Sequence, residues 1–159
     1  MAVIKTQGTQ LWAYEPETNT LTGPICATAI GGASSPKAQI DTTTLCDTES
    51  RTFVAGLSSP GTSDFTIQFD PQNVQHMQLH QYYLDGTDLT FVIGLSDGTV
   101  APTAGSAAGD PVTLPAERTF VTFDGYLTDF PLPFDLDDVL RVAIGIQVSG
   151  SVNIEPKTP

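Results

Sequence analysis

The chain has 159 residues, 40% of them apolar, and its eighteen acidic residues outnumber six basic ones for a formal net charge of −12. This length and apolar fraction favour a single folded domain over a disordered chain. The excess of acidic residues excludes a conventional nucleic-acid-binding protein, which needs a basic face to neutralise phosphates. It does not exclude a protein that contacts DNA without binding it tightly. Twelve prolines and fourteen glycines, among many Thr and Val, favour strands and turns.

The first quarter of the chain predicts three short strands. Residues 9–14 alternate as TQLWAY, and residues 24–30 and 37–44 flank a flexible GGASSP segment, while 15–23 form a polar turn. The start, MAVIKTQG, lacks the pattern of a secretory signal, and nothing approaches the length of a membrane span. Without a signal, Cys26 and Cys46 are expected to be buried thiols of a reducing cytoplasm.

A polar, acidic loop is predicted over residues 41–63. A loop of this length inside a compact domain is usually functional or disordered. It carries four apolar residues that need a surface to pack against: Leu45, Phe53, Val54 and Leu57. Another copy of the chain is the natural partner, so the loop predicts self-assembly.

The clearest strand and the one helix follow directly. Residues 63–69 alternate apolar and polar, which predicts a strand with one face in the core and one in water. Asp70 is a good N-cap and Pro71 suits the first helical position, so a helix is expected over residues 71–85, ending at Gly86. His76 and His80 are four residues apart on it.

The second half predicts more strands and a second long loop. Residues 89–95 are nearly all apolar, which indicates a central strand covered on both faces. Residues 96–117 are rich in Gly and Pro and form the second loop; 118–130 are a bent strand or a strand pair. Residues 131–137 are a turn with an apolar patch, 139–152 a strand alternating from Val142 to Val148, and 155–159 a polar tail.

No arrangement of residues indicates catalysis or a cofactor. His76 and His80 have a metal-ligand spacing but lack the Glu that metalloproteases carry beside the first His, so they are expected on the helix surface. Asp135, Asp137 and Asp138 do not follow a calcium-loop pattern and are expected in a solvated turn. No nucleophile elbow or phosphate-binding glycine loop occurs. A non-enzyme without metal or cofactor is expected.

Four segments resemble the tail tube (major tail) proteins of long, non-contractile-tailed bacteriophages. They are QGTQLWAY, TLCDTESRTFVAGLSSPGTSDFTIQFDP, TFDGYLTDFP and DDVLRVAIGIQVSG, and in order they cover roughly residues 4–151. The resemblance implies a mainly β fold, a two-sheet β-sandwich or partly closed barrel with one flanking helix. It implies hexameric rings whose strands form one continuous barrel around a lumen, with residues 41–63 reaching onto the next ring.

On that resemblance, an acidic or neutral wall would let double-stranded DNA slide without sticking, since basic contacts would slow it. The lumen-lining candidates are polar residues of the inner strands: Gln39, Asp41, Asp64, Gln68 and Gln147. The implied partners are further copies of the chain, a tail terminator, tail-tip or initiator proteins, a tape-measure protein and DNA bound without sequence specificity, and no membrane. The implied location is the virion tail, assembled in the bacterial cytoplasm.

Two alternatives remain at this stage. One is the inner-tube protein of a contractile injection or secretion system, which has the same ring architecture. The other is a β-sandwich carbohydrate-binding or adhesin module, which would need an exposed aromatic platform supplied by Trp12, Tyr82, Tyr83 or Tyr126.

Overall fold

A computed structural model describes residues 3–159. The elements are β1 (Gln10–Glu15), β2 (Thr20–Ile25), β3 (Ala27–Ile30), β4 (Lys37–Asp41), β5 (Phe53–Ser58), β6 (Thr62–Gln68), α1 (Val74–Asp85), β7 (Leu89–Gly94), β8 (Phe120–Asp129) and β9 (Arg141–Glu155). The expected mainly β class with one flanking helix is confirmed.

One curled antiparallel sheet forms the body of the molecule, in the order β2-β1-β7-β8-β9-β6-β3. It takes the partly closed form of the expected barrel. The second sheet contains only β4 and β5, paired as a hairpin. Residues 41–63 are therefore not an irregular loop as expected, since β5 and the start of β6 lie within them.

The concave side of the sheet and α1 enclose the main core. Alternate residues of β6 and β9 point into it, Phe65 and Ile67 from one strand and Val142, Ile144 and Ile146 from the other. From the helix, Leu79 and Tyr82 are buried against them. Strand β7 lies in the middle of the sheet between β1 and β8, as its continuous apolar sequence predicts.

The second long loop, residues 96–117, covers part of the other side of the sheet. There Trp12, Val92 and Phe120 form a separate small core, and Val112 and Leu114 of the loop pack against it. The loop is also held by polar contacts, because the Tyr14 hydroxyl lies 2.8 Å from the Asp110 carbonyl oxygen and Gly109 N donates to Pro16 O at 2.7 Å. This loop belongs to the folded body.

Arg118 is buried between this loop and the sheet. Its guanidinium donates to the carbonyl oxygens of Leu95 (2.6 Å) and Gly94 (2.8 Å) and to Gln10 Oε1 (2.9 Å), with longer bonds to Gly8 O and Val100 O. It also lies 5.4 Å from the centre of the Trp12 ring. Burial lowers the pKa of Arg118, but guanidinium remains charged in proteins. The buried guanidinium therefore holds together three segments of the chain, around residues 8, 94–95 and 100, by binding their carbonyl oxygens.

Asp97 anchors the start of the same loop. Its carboxylate accepts bonds from the Thr119 hydroxyl (2.5 Å) and the Thr119 amide (3.1 Å), and the hydroxyl bond chiefly lowers the pKa of Asp97. A lowered pKa means that the ionised form stabilises the fold above the unfolded-state pKa of about 3.9 and loses that effect as the pH falls.

We therefore expect Asp97→Asn to have a lower melting temperature than the parent at pH 7, and this difference should shrink below a pH of about 4. Thermal melts at several pH values would measure it, and a constant difference would contradict it.

The helix begins later than expected. Asn73, not Asp70, is the N-cap, and its side chain accepts from Gln75 N at 2.9 Å. Asp70 instead accepts from Gln72 N and closes a turn ahead of the helix. The helix ends as expected, at Gly86 with a left-handed backbone at φ 65°.

Three side chains occupy environments that differ from those expected. Both Cys26 and Cys46 are exposed, not buried: Cys26 lies between the two short strands β2 and β3 near the sheet edge, and Cys46 lies in the hairpin tip. His76 is buried, not on the helix surface, because its Nδ1 accepts the Asp70 amide (3.0 Å) beneath the helix start. No helix in residues 3–159 is long and apolar enough to cross a membrane.

Candidate assembly surfaces

An exposed polar surface, here called the open face, covers the part of the sheet that the second loop leaves bare. Directly paired residues of antiparallel strands point to the same side of a sheet. Asp64 pairs with Gly145, Gln68 with Arg141, and Gln147 with both Thr62 and Tyr126. The open face therefore consists of residues from three adjacent strands, opposite the main core: Thr62, Asp64, Thr66, Gln68, Tyr126, Arg141, Ala143, Gly145 and Gln147.

Three of the five lumen candidates lie on the open face. Asp64 and Gln68 are exposed on β6, and Gln147 on β9 is half-buried, with its amide nitrogen donating to Gly61 O at 3.2 Å. The basic residue on this face, Arg141, forms an ion pair with Asp138 at 3.1 Å. The open face thus presents acidic and neutral polar groups, and its cation is partly compensated.

The other two lumen candidates, Gln39 and Asp41, lie on the hairpin. Asp41 pairs directly with Phe53 and Gln39 with Ala55, so these two polar residues share a face with one of the stacking candidates. A hydrogen bond to the Thr43 side chain chiefly lowers the pKa of Asp41, and its Oδ1 also accepts the Thr43 amide at 2.9 Å. Asp41 is therefore held as a carboxylate.

The hairpin projects from the body with its apolar residues in solvent. Its base is fastened by Ser59 N to Pro36 O (2.8 Å) and by Gly61 N to Ser34 O (3.0 Å). All four stacking candidates are exposed: Leu45 fully, Leu57 by 90%, Phe53 by 52% and Val54 by 55%. Exposed apolar residues grouped on one projecting element are typical of a protein–protein contact.

Sequence reasoning missed Ile40 on this hairpin. Ile40 is 53% exposed and pairs with Val54 on the face opposite Phe53, so both faces of the arm carry apolar groups. The single isoleucine among polar neighbours gave no alternating pattern, and only the pairing with β5 reveals it.

A second exposed apolar patch lies in the turn between β8 and β9, as the sequence predicts. Phe134 and Leu136 are 82% and 93% exposed, and Leu132 and Val139 are also exposed. Asp135, Asp137 and Asp138 alternate with them and are solvated, as expected. A groove of about 570 Å³ adjoins the patch, with Phe69, Val139 and Leu140 among its walls.

No group of three or more His, Cys, Asp or Glu within residues 3–159 is arranged to hold a metal ion. His76 is engaged with the backbone, and the His80 ring packs edge-on against Phe130 with centroids 4.9 Å apart. The two histidines therefore serve packing and helix-start contacts.

A family model described as phage tail tube, TTP, lambda-like, matches residues 2–158. Structural protein 3 of Pseudomonas phage PAJU2 is 39% identical over 158 residues, which cover 98% of this chain and 96% of that protein. These two findings confirm the resemblance.

Solved structures share the fold. The SPP1 tail tube superimposes with a TM-score of 0.66 at 11% identity, over 97% of this chain and 81% of that one. A chain of the six-fold symmetrised baseplate of the anti-feeding prophage gives 0.70 at 10% identity, over 100% and 99%. The tail of an empty gene transfer agent particle, with C6 symmetry, gives 0.66 at 10%, over 96% and 99%. The family model and the 39% identical relative each span nearly the whole chain, and the chain belongs to the lambda-like phage tail tube protein family.

Proposed function

We propose that six copies of this chain close into a ring and that the rings stack into a hollow phage tail tube through which double-stranded DNA passes. The observation that carries the proposal is that one subunit of a tail tube family member has both a polar open face and a projecting hairpin with exposed apolar residues. The six-fold arrangement is supported by related folds in assemblies solved with six-fold symmetry.

On this proposal the open face lines the lumen. The main core and α1 lie behind it, so the helix is on the outside of the ring. Asp64, Gln68 and Gln147 form the wall, and Gln39 and Asp41 continue it along the hairpin. DNA carries one negative charge per about 1.7 Å of axis, and carboxylates repel it within about 8 Å at physiological salt.

On the same proposal the hairpin is the ring-stacking element. Leu45, Phe53, Val54 and Leu57 leave solvent when it reaches the next ring. The two free edges of the seven-stranded sheet, β2 and β3, present unpaired backbone groups. Ring closure would protect such edges from aggregation.

The partners in the tail follow from this architecture. The proposed protein partners are further copies, a tail terminator, tail-tip or initiator proteins, and a tape-measure protein inside the lumen. The chain would join the virion tail after assembly in the host cytoplasm. A purely structural, non-enzymatic role is supported by membership of a structural family.

The two alternative functions fare differently. The anti-feeding prophage likeness supports the shared ring architecture, so an inner tube of a contractile injection system remains the second candidate. A sheath bound around the assembled tube would favour that candidate over a naked flexible tube. The carbohydrate-binding module loses support, because Trp12 and Tyr82 are both 2% exposed and Tyr83 is half-buried, so Tyr126 is the one exposed side chain of the four candidates and a single ring is no platform.

Electron microscopy of the purified protein tests the proposal directly. At high protein concentration, negative-stain images should show hollow tubes or rings, and end-on class averages should have six-fold symmetry. A chain that stays monomeric both alone and with tail-tip proteins would overturn the proposal.

Reversing a lining charge tests the lumen assignment. We expect Asp64→Lys to permit assembly but to slow DNA ejection several-fold, because six added cations per ring would bind passing phosphates. Ejection kinetics of triggered virions would measure the effect. The matched control is Asp85→Lys, an equal charge change at the exposed end of α1. Equal ejection rates for parent, control and Asp64→Lys would remove Asp64 from the lining.

A further inference from the structure

The hairpin and the apolar turn lie at opposite ends of the same strand pair. The hairpin connects to the body beside Gly31 and Thr62, at the start of β6. Residues 131–140 join the end of β8 to the start of β9, and there Phe69 N, just beyond β6, donates to Leu140 O at 2.9 Å. The seven residues of β6 separate these sites by about 20 Å.

We propose that this turn is the acceptor surface for the hairpin of a second copy in the adjacent ring. The acceptor surface is defined here as Leu132, Phe134, Leu136 and Val139 with the adjoining groove. The inference rests on the proposed function and adds the place on the neighbouring subunit where the hairpin binds.

Head-to-tail stacking requires two different, complementary surfaces on opposite ends of one subunit. A contact of this kind joins unlike patches and extends without closing when the symmetry permits. The hairpin is exposed at one end, and the acceptor surface is exposed at the other. Both expose large apolar side chains, so their contact would remove apolar area from water on both partners.

One cation of the hairpin tip has carboxylates available to it at the acceptor surface. Arg51 is exposed in the hairpin tip and is one of only six basic residues of the chain. The tip also carries two acids: Asp47 Oδ2 accepts the Thr44 amide at 2.8 Å, and Glu49 is exposed two residues from Arg51. At the acceptor surface Asp138 binds Arg141, which leaves Asp135 and Asp137 as exposed carboxylates available to a cation.

A charge exchange tests this contact. Arg51→Glu and Asp135→Arg should each raise the protein concentration needed for tube formation at least tenfold, because each sets like charges against one another. The double variant should return to within about threefold of the parent, and tenfold corresponds to about 1.4 kcal/mol. Lys5→Glu is the matched control, an equal charge change at an exposed residue outside the hairpin and the acceptor surface, and should assemble like the parent. Absence of rescue in the double variant would contradict the pairing of Arg51 with Asp135.

Cross-linking locates the contact independently. In a Cys26→Ser, Leu136→Cys chain, the native Cys46 of the tip and the new thiol should be joined by a short bis-maleimide in assembled tubes. Links between rings run along the tube and give covalent species larger than six subunits, whereas links within a ring stop at six. The control, Leu84→Cys on the outer side of α1, should give no ladder.

The outcomes separate the two proposals. If the native chain forms no tubes, the proposed function fails and the acceptor surface with it. If native tubes form but cross-links are absent or stop at six, the acceptor surface is wrong while the tube function stands. A ladder beyond six together with charge rescue supports both.

Discussion

Leu57→Asp should give a folded monomer that no longer forms tubes. The Leu57 side chain is 90% exposed in the isolated subunit, so the change removes no core contact. In the tube it would replace an apolar contact worth about 1.5–3 kcal/mol with a carboxylate that loses its hydration. A loss of about 3 kcal/mol per contact weakens each one more than a hundredfold, and each ring contains six.

Circular dichroism, size-exclusion chromatography and electron microscopy would measure this result together. The matched control is Leu84→Asp on α1, which makes the same substitution at an exposed leucine on the proposed outer side of the ring. The control should form normal tubes, and Phe53→Asp should behave like Leu57→Asp. Normal tubes from Leu57→Asp would exclude the hairpin from stacking.

Arg118→Met should destabilise the subunit by about 3–5 kcal/mol. The substitution keeps much of the apolar volume but leaves the carbonyl oxygens of Leu95 and Gly94 without their donor in a buried site. Each buried polar group left unsatisfied costs about 1–3 kcal/mol. The loss is large against a typical total stability of about 5–15 kcal/mol.

Urea denaturation should be measured in the Leu57→Asp background, because assembly of the parent would add to its apparent stability. Arg141→Met is the matched control, since Arg141 is exposed and its ion pair with Asp138 is a surface one worth at most about 1 kcal/mol. If the two arginine variants unfold at the same urea concentration, the structural role assigned to Arg118 is wrong.

The sequence predicts those parts of the fold in which one side of an element is buried. In β9 the alternation from Val142 to Val148 follows from a core on one side and solvent on the other, and the structure confirms it. Gly86 marks the helix end because few other residues adopt its left-handed backbone readily. Sequence patterns predict the strand and the helix end at these positions because the conformation there depends on residues close together in the chain.

Only one strand of the hairpin is predicted by the same rules: residues 37–44 are expected as a strand, which β4 confirms, whereas β5 lies where a loop is expected. Nearly all side chains of β4 and β5 are exposed on both faces, so neither strand has an apolar–polar alternation. Residues 20–23 of β2 are likewise expected in a polar turn, and only its last two residues in a strand, although β2 pairs with β1 from Thr20 onward. Backbone pairing defines these elements, and pairing with a distant segment leaves no trace in a short window of sequence.

The assembly surfaces were predictable only in part. The apolar residues of the hairpin and of the 131–137 turn are visible in the sequence because large apolar groups stand among polar neighbours. That Asp64, Gln68 and Gln147 share one face, whereas Gln39 and Asp41 lie on a separate hairpin, required the strand register. The role of Arg118 required the packing of the second loop against the sheet.

The placement of the hairpin and the apolar turn at opposite ends of β6 gives a filament built this way a direction. At one end of the filament the hairpins would have no partner, and at the other end the acceptor surfaces would have none. A protein shaped to stop growth at one extremity would find no matching partner at the other. A particle built this way would need two unlike caps, one for each end.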